Sequence, residues 1–393
     1  MATLPGLPPC TCTWTKAACP PFERGLVELY RCRYCRTVYQ RRNQLVDMAL
    51  EDLTLSDPPH TTVPYDTERP VYVELVTNPW HLLCGFLPRF SDPRKLFLFE
   101  AFLGIANRFV PSEDDPRQHQ SIYHVDSYIR RCLERYPHNV RGSMEPIITV
   151  DAYPLTSNQP GLTEWFVNFA DSDLFYAYGS SLFAQDEIMT TEYPLLGSVR
   201  EFIQHIQQTT PGTRLSTRTI EGLRPTPILI TNVPRAWEIN TANIYGQAFA
   251  RASVNRVFAQ SIPLQGQRGN IIAMSALPCN HPRGTPYSIE EIEYHLQAAE
   301  VAFSHAVAMS PDRCVVHTGN WGCGAFGGNK QLMSIVQFIA GFNAGVAQIR
   351  YHAFDEASRA LVQDAWELLK EEELKTAQDI LRMVPEWGVG DGN

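Results

Sequence analysis

Short apolar runs alternate with longer amphipathic stretches from residue 71 towards the C-terminal end, and this alternation admits few architectures. Val71-Tyr72-Val73-Glu74-Leu75-Val76, Pro146-Ile147-Ile148-Thr149-Val150, Trp165-Phe166-Val167-Asn168-Phe169-Ala170, Pro227-Ile228-Leu229-Ile230-Thr231, Asn270-Ile271-Ile272-Ala273-Met274-Ser275 and Cys314-Val315-Val316-His317 are short and rich in β-branched and aromatic residues. Those features predict strands. Helical patterns fall at 96–109 after Pro93, 122–136, 192–208, 330–347 and 356–383. Ser288 and Glu291 form a capping box that opens another helix, running to about Met309. Strands that are apolar along their whole length must be covered on both faces. The expected fold is therefore α/β, a mostly buried mixed sheet between helices in a three-layer α/β/α arrangement. Ligands in such folds bind at the carboxyl ends of the strands.

Two loops fall at such ends. The first follows Cys314–His317 and reads Thr318-Gly319-Asn320-Trp321-Gly322-Cys323-Gly324-Ala325-Phe326-Gly327-Gly328 before the 330–347 helix. Strand, glycine-rich loop and helix can cradle a phosphate, because glycine lets backbone amides approach closely and the helix N-terminus adds free N–H groups. The same loop could equally be a tight structural turn. Trp321 could stack on a ligand or simply pack. The second loop follows Val167-Asn168-Phe169-Ala170-Asp171 and leads to Gln185-Asp186-Glu187. Cleaving a ribosyl bond needs an acid for the leaving oxygen and a carboxylate to stabilise charge or activate water. A partly buried glutamate beside another carboxylate has a raised pKa suited to that work. Taken alone, acidic residues at a helix start more often serve the helix dipole.

Together these stretches resemble the poly(ADP-ribose) glycohydrolases, whose fold is a macrodomain with extensions. The resemblance is carried by residues 318–328, by 167–171 and by 185–187, and extends over roughly 70–385. It implies a macrodomain-like core at about 144–355 within a catalytic domain spanning 71–393, with helical extensions. It implies that Glu187 is the catalytic glutamate and that Asp186 positions the ribose. It further implies ligand contacts from Gln185, Asn168, Asp171, Tyr245, Asn320, Trp321, Gly322, Gly324 and Phe326. The expected activity is ADP-ribosyl glycohydrolysis of poly- or mono-ADP-ribose by general acid/base catalysis, with no metal needed for the chemistry. The partner is ADP-ribose or an ADP-ribosylated substrate. The family's triple glycine falls on Phe175-Tyr176-Ala177, which implies a remodelled diphosphate loop. Two alternatives remain open: an ADP-ribose reader without turnover, and a hydrolase for another nucleotide-linked sugar.

Residues 1–45 stand apart. Cys10 and Cys12, then Cys32 and Cys35, form two close pairs with the spacing of a small structural zinc ribbon, and Cys19 could replace Cys12. Free thiols, or disulfides in an exported protein, fit as well. Residues 46–70 read as a linker. The net charge of −9 argues against a broad basic surface for nucleic acid, and Arg36, Arg41 and Arg42 read as a solvated face. No apolar run is long enough for a membrane span, and Met1-Ala2-Thr3-Leu4-Pro5-Gly6 does not open a secretory signal. An intracellular protein, cytoplasmic or nuclear, is expected. His317 reads as a satisfied core histidine, and Cys323 has no visible basic partner.

Overall fold

The computed structural model describes residues 86–106, 145–157, 159–209, 215–279, 287–371 and 379–380, with the backbone alone at 71–77, 104–106, 120–126 and 371. The elements in chain order are β1 (Val71–Thr77), α1 (Pro93–Ala106), β2 (Gln120–Asp126), β3 (Ile147–Thr149), β4 (Leu162–Ala170), α2 (Gln185–Glu192) and α3 (Leu195–Thr209). There follow β5 (Ile220–Glu221), β6 (Arg224–Pro225), β7 (Ile228–Pro234), β8 (Trp237–Ile239), α4 (Gln247–Arg251), α5 (Val254–Ala259) and β9 (Ser261–Pro263). The last are β10 (Arg268–Ser275), α6 (Ile289–Met309), β11 (Arg313–Gly319), α7 (Lys330–Ala344), β12 (Gln348–His352) and α8 (Glu356–Glu371).

One sheet of 8 strands organises the molecule, in the order β1-β2-β7-β10-β4-β11-β12-β3. β1, β2, β7 and β10 pair antiparallel in succession. From β10 through β4, β11 and β12 to β3 the pairing is parallel. Alternate residues of the central strands enter opposite cores. Trp165, Val167, Leu229, Ile272 and Met274 pack beneath α6, α7 and α8, whereas Phe166, Ala170, Ile228, Ile230, Ile271 and Ala273 pack with α1 and α3. The period of two and a cover on each face explain why these strands read as unbroken apolar runs. The mixed three-layer α/β/α fold expected from the alternation is thus present.

Three expectations change. The stretch read as a helix over 122–136 begins as strand β2, whose Ile122, Tyr123 and His124 pair with Ile230, Leu229 and Ile228. Apolar residues at helical spacing were overridden by a sheet edge needing a partner. The helix expected over 192–208 is present as α3 but starts later, at Leu195, because Glu192 closes α2 and Tyr193 and Pro194 separate the two; proline disfavours the helical region for the residue before it. The helix expected over 330–347 stops at Ala344, where Gly345 adopts φ 75° as a left-handed C-cap. The capping box of Ser288 and Glu291 forms as expected, and α6 ends at Met309. The zinc-ribbon cysteines Cys10, Cys12, Cys19, Cys32 and Cys35, the linker and the three N-terminal arginines lie outside the described residues.

Candidate active site

β4 and β11 are adjacent and parallel, so the loops that follow them open at the same edge of the sheet. Phe169 and Gly319, the last turn of each strand, touch: a β-carbon built on Gly319 would lie 3.5 Å from the Phe169 ring. The acidic motif and the glycine-rich loop are brought together by this neighbourhood.

Gln185, Asp186 and Glu187 form the first turn of α2. The Gln185 side chain fastens that turn to the strand. Its Oε1 accepts from the Phe169 amide at 2.7 Å and its Nε2 donates to the Val167 carbonyl at 2.9 Å. Gln185 therefore positions the motif. Asn168 is fully buried, and its Nδ2 donates to Asp186 Oδ1 at 3.0 Å. It too acts through a neighbour. Glu187 Oε2 accepts from the Ala184 amide at 2.9 Å; among the described residues nothing donates to Oε1. Burial, then the adjacent Glu187 carboxylate, push the Asp186 carboxyl well above its ordinary range, against the pull of Asn168 and Lys95. The turn thus holds two carboxyl groups that cannot both ionise cheaply. Asp171 is half-buried, its Oδ1 closing a turn with the Asp173 amide and the Ser172 hydroxyl at 3.1 Å each.

The glycine-rich loop is built from the core outwards. The Thr318 hydroxyl donates to Gln337 Oε1, and Gln337 Nε2 donates to the Gly319 carbonyl at 3.2 Å. Asn320 Nδ2 donates to the Ala353 carbonyl at 3.0 Å, and its Oδ1 accepts from the Tyr351 hydroxyl at 3.2 Å. Trp321 is 1 % exposed and its indole N–H donates to the Met274 carbonyl at 3.1 Å. This corrects Trp321 as a ligand contact: the ring is packed in the core beneath α6 and α7, with His295 edge-on at 5.5 Å. Gly322 needs to be glycine twice over, because its φ is +74° and a β-carbon would lie 2.7 Å from Ala276 Cβ. The amides of Cys323, Gly327 and Gly328 bond within the loop, to Asn320, Gly324 and Gly322. Among the described residues the amides of Gly322, Gly324, Ala325 and Phe326 find no such acceptor. Gly324 is exposed, with nothing within 4 Å of its β-carbon position. Phe326 is half-buried against the core beneath α6. Burial raises the Cys323 thiol, so it is no nucleophile.

Tyr245 stands at the rim. It is 43 % exposed and its ring centroid lies 5.4 Å from that of Phe354, itself 64 % exposed. The Glu187 charge, after burial, raises the Tyr245 hydroxyl, which puts Tyr245 beside the acidic turn. Sequence reasoning missed Phe354; the signal was an aromatic residue just after β12, the strand next to β11. It also missed Lys95, a buried lysine on α1 whose charge faces Asp186 and Glu187.

Phe175, Tyr176 and Ala177, where the resemblance implied a glycine loop, form consecutive turns. Tyr176, Tyr178 and Ser180 amides donate to Asp173, Phe175 and Ala177 carbonyls. Phe175 is fully buried at φ 52°. His317 is fully buried, with Nε2 3.2 Å from Glu164 Oε1, Nδ1 3.1 Å from His352 Nε2, and its ring stacked on Phe166 at 4.5 Å. It is the satisfied core histidine its strand suggested. Among the described residues no cluster of three or more His, Cys, Asp and Glu is placed to hold a metal, and no helix is long and apolar enough to cross a membrane.

Residues 228–360 match the family described as poly (ADP-ribose) glycohydrolase, macro domain fold. The matched segment runs from β7 into α8 and includes Tyr245, the glycine-rich loop and Phe354; the acidic turn at 185–187 precedes it. Similar solved structures include a poly(ADP-ribose) glycohydrolase from Thermomonospora curvata, 15 % identical with a TM-score of 0.39, covering 74 % of this chain and 85 % of that one. Another is the poly(ADP-ribose) glycohydrolase of Deinococcus radiodurans in complex with ADP-ribose, 15 % identical, TM-score 0.38, covering 61 % and 90 %. A macrodomain of Oceanobacillus iheyensis with ADP is 13 % identical, TM-score 0.32, covering 53 % and 85 %.

Proposed function

We propose that this chain is an ADP-ribosyl glycohydrolase whose working carboxyl groups are Glu187 and Asp186. The observation that carries the reading is the buried first turn of α2. Two adjacent carboxyl groups sit there, one held by Asn168 and the other by the Ala184 amide, beside the neighbouring glycine-rich loop of the family-matched segment. In this reading the ribosyl anomeric carbon lies over the turn. The one proton that the adjacent Asp186–Glu187 pair retains is delivered from Glu187 Oε1 to the leaving oxygen as the glycosidic bond breaks, leaving both as carboxylates. The resulting carboxylate then takes a proton from the water that attacks the oxocarbenium-like centre, returning Glu187 to its starting state. Asp186 accepts from the ribose hydroxyls. The amides of Gly322, Gly324, Ala325 and Phe326, which have no acceptor among the described residues, receive the diphosphate, and Tyr245 with Phe354 offers ring faces to the base. Bond cleavage in this scheme proceeds through carboxyl groups alone.

Glu187→Gln keeps the shape of the turn but removes the transferable proton. Poly(ADP-ribose) hydrolysis is expected to fall at least about 100-fold, while calorimetric binding of ADP-ribose persists. Turnover unaffected by the substitution refutes the assignment. A reader without turnover is the second reading, favoured by the closed turns at Phe175–Ala177. Saturable ADP-ribose binding with no hydrolysis in the unsubstituted chain would establish it. Absence of both binding and cleavage would point to a different nucleotide-linked sugar.

A further inference from the structure

Lysine is rarely buried without partners, because an ammonium taken from water loses several kcal/mol of hydration. Lys95, in the first turn of α1, is fully buried. Its Nζ donates to the Tyr178 carbonyl at 3.0 Å and the Leu182 carbonyl at 2.7 Å. Both carbonyls belong to the loop that delivers Gln185, Asp186 and Glu187. The Phe183 and Phe249 rings, stacked at 3.8 Å, each lie 5.8 Å from Nζ. The same loop is clamped further by Gly179, whose carbonyl accepts from the Ser91 and Asp92 amides at 2.9 Å each. α1 thus grips the loop, and the Lys95 ammonium held in that grip acts on the charges of Asp186 and Glu187.

The charges around Lys95 come from every side. Asp92 and Arg94 lie at its own helix start, where Arg94 pairs with Asp92. Asp186 and Glu187 face it from α2. Asp171, at the end of β4, and Asn168 act on Asp186, and Tyr245 is coupled to Glu187. Burial lowers the Lys95 ammonium to about 8 although Glu187, Asp92 and Asp186 pull it upward. It therefore stays charged at neutral pH.

We infer that Lys95 is a positioning residue for the acidic turn: it fastens the 178–182 loop and supplies the positive charge that lets one carboxyl of the Asp186–Glu187 pair ionise while the other keeps its proton. This rests on the reading of that pair as the working centre. Without the cation, two buried carboxyl groups side by side would hold their protons to higher pH. A general acid would remain, but the Asp186 carboxylate that accepts from the ribose hydroxyls would be lost near neutrality.

The test uses the full chain and the variants Lys95→Met, Asp186→Asn and the two combined. In poly(ADP-ribose) hydrolysis, Lys95→Met is expected to move the carboxylate limb of the pH profile upward by at least one unit. Most of the rate loss should fall in kcat, not KM. A second readout needs no turnover: the urea midpoint as a function of pH. Below about pH 8, where Lys95 keeps its own proton in native and unfolded chains alike, the midpoint of Lys95→Met should fall more steeply with rising pH than that of the unsubstituted chain, because the pair now binds its proton more tightly in the native state. Combining it with Asp186→Asn should remove the extra slope. If the unsubstituted chain hydrolyses nothing, the glycohydrolase reading fails, and the slope still decides Lys95. An unchanged limb or an unchanged slope in a folded Lys95→Met overturns the inference. If Lys95→Met alone does not fold, the double variant should recover a cooperative transition, since it removes the charge left unpaired. Failure of both to fold overturns it too.

Discussion

Gly179→Ala measures how tightly the site loop is held by α1 and the residues before it. A methyl at Gly179 would lie 2.2 Å from the Arg89 carbonyl oxygen, 3.2 Å from its carbon and 3.4 Å from Phe90 Cα. All are backbone atoms, so no side-chain rotation relieves the clash. The two segments must part by about 1 Å to reach ordinary contact. That separation carries three hydrogen bonds beyond bonding range: the Ser91 and Asp92 amides and the Ser91 hydroxyl, each 2.9 Å from the Gly179 carbonyl. The Ser91 hydroxyl bond is exposed and is left out; at about 1 kcal/mol net for each of the two backbone bonds, with about 1–3 kcal/mol of overpacking strain, the expected loss is about 3–5 kcal/mol. Alanine's smaller unfolded-state entropy returns only about 0.4–1 kcal/mol of that. Against a usual stability of about 5–15 kcal/mol, such a change is large. Equilibrium urea unfolding followed by tryptophan fluorescence would show it as a lowered midpoint. Gly324→Ala is the control, because nothing lies within 4 Å of its β-carbon position, and it should change stability by no more than about 0.5 kcal/mol. A Gly179→Ala loss below about 1 kcal/mol, or no larger than the control's, refutes the clamp.

The same control probes the ligand site: Gly324→Ala should weaken ADP-ribose binding by calorimetry at least about 10-fold, as a methyl between two free amides displaces an anion. Tyr245→Ala and Phe354→Ala should each raise the ADP-ribose Kd by about 10-fold, consistent with about 1–3 kcal/mol per stacked base, while the thermal midpoint stays put because both rings are exposed. Trp321→Ala should instead cost about 3–5 kcal/mol of stability, since the ring is buried and its N–H is bonded to Met274. The Asp186 carboxyl is raised from 3.8 to about 7 by burial and by Glu187. The native state therefore holds a proton that the unfolded chain has released. The stability this group contributes is complete below 3.8 and is lost as pH rises through about 7. His295, His305 and His352, lowered by burial to about 4, act with the opposite sign, adding stability as pH rises through 6.5. The difference between the urea-midpoint profiles of the unsubstituted chain and Asp186→Asn isolates the aspartate; a flat difference refutes the shift.

The central strands and the loops they feed were legible because their signals are local. Apolar runs such as Ile271-Ile272-Ala273-Met274 and glycine positions such as Gly322 state their requirements within a few residues. What was illegible depends on distant partners. Ile122, Val125 and Ile129 are spaced as on a helix, yet β2 forms because β1 and β7 supply partners about 50 residues before it and 100 after it. Lys95 gave no sequence signal at all: its carbonyl partners lie 83 and 87 residues on. The resemblance implied Trp321 and Asn320 as ligand groups, but an indole N–H or a carboxamide is as readily satisfied by a nearby carbonyl, here those of Met274 and Ala353. Pro194 was visible and marks the break between α2 and α3.

The two loops divide the work of the site unequally, and the division follows from how each is fastened. The loop after β4 is held through its backbone: the Tyr178 and Leu182 carbonyls accept from Lys95 and the Gly179 carbonyl from the Ser91 and Asp92 amides. Fastened in this way, with Phe175 fully buried, the loop contributes acids and shape. The loop after β11 is the reverse: its polar side chains Thr318 and Asn320 bond to the core, while the amides of Gly324, Ala325 and Phe326 are left without acceptors among the described residues. A diphosphate entering this edge would therefore be held from the β11 side, leaving the scissile ribosyl bond to face the acidic turn across the gap between two adjacent parallel strands. If the diphosphate instead lay along 175–177, Tyr176→Gly would strengthen ADP-ribose binding by opening the backbone. On the present geometry Tyr176→Gly leaves the Kd within about twofold, because the Tyr176 amide is already bonded to the Asp173 carbonyl and its ring is exposed.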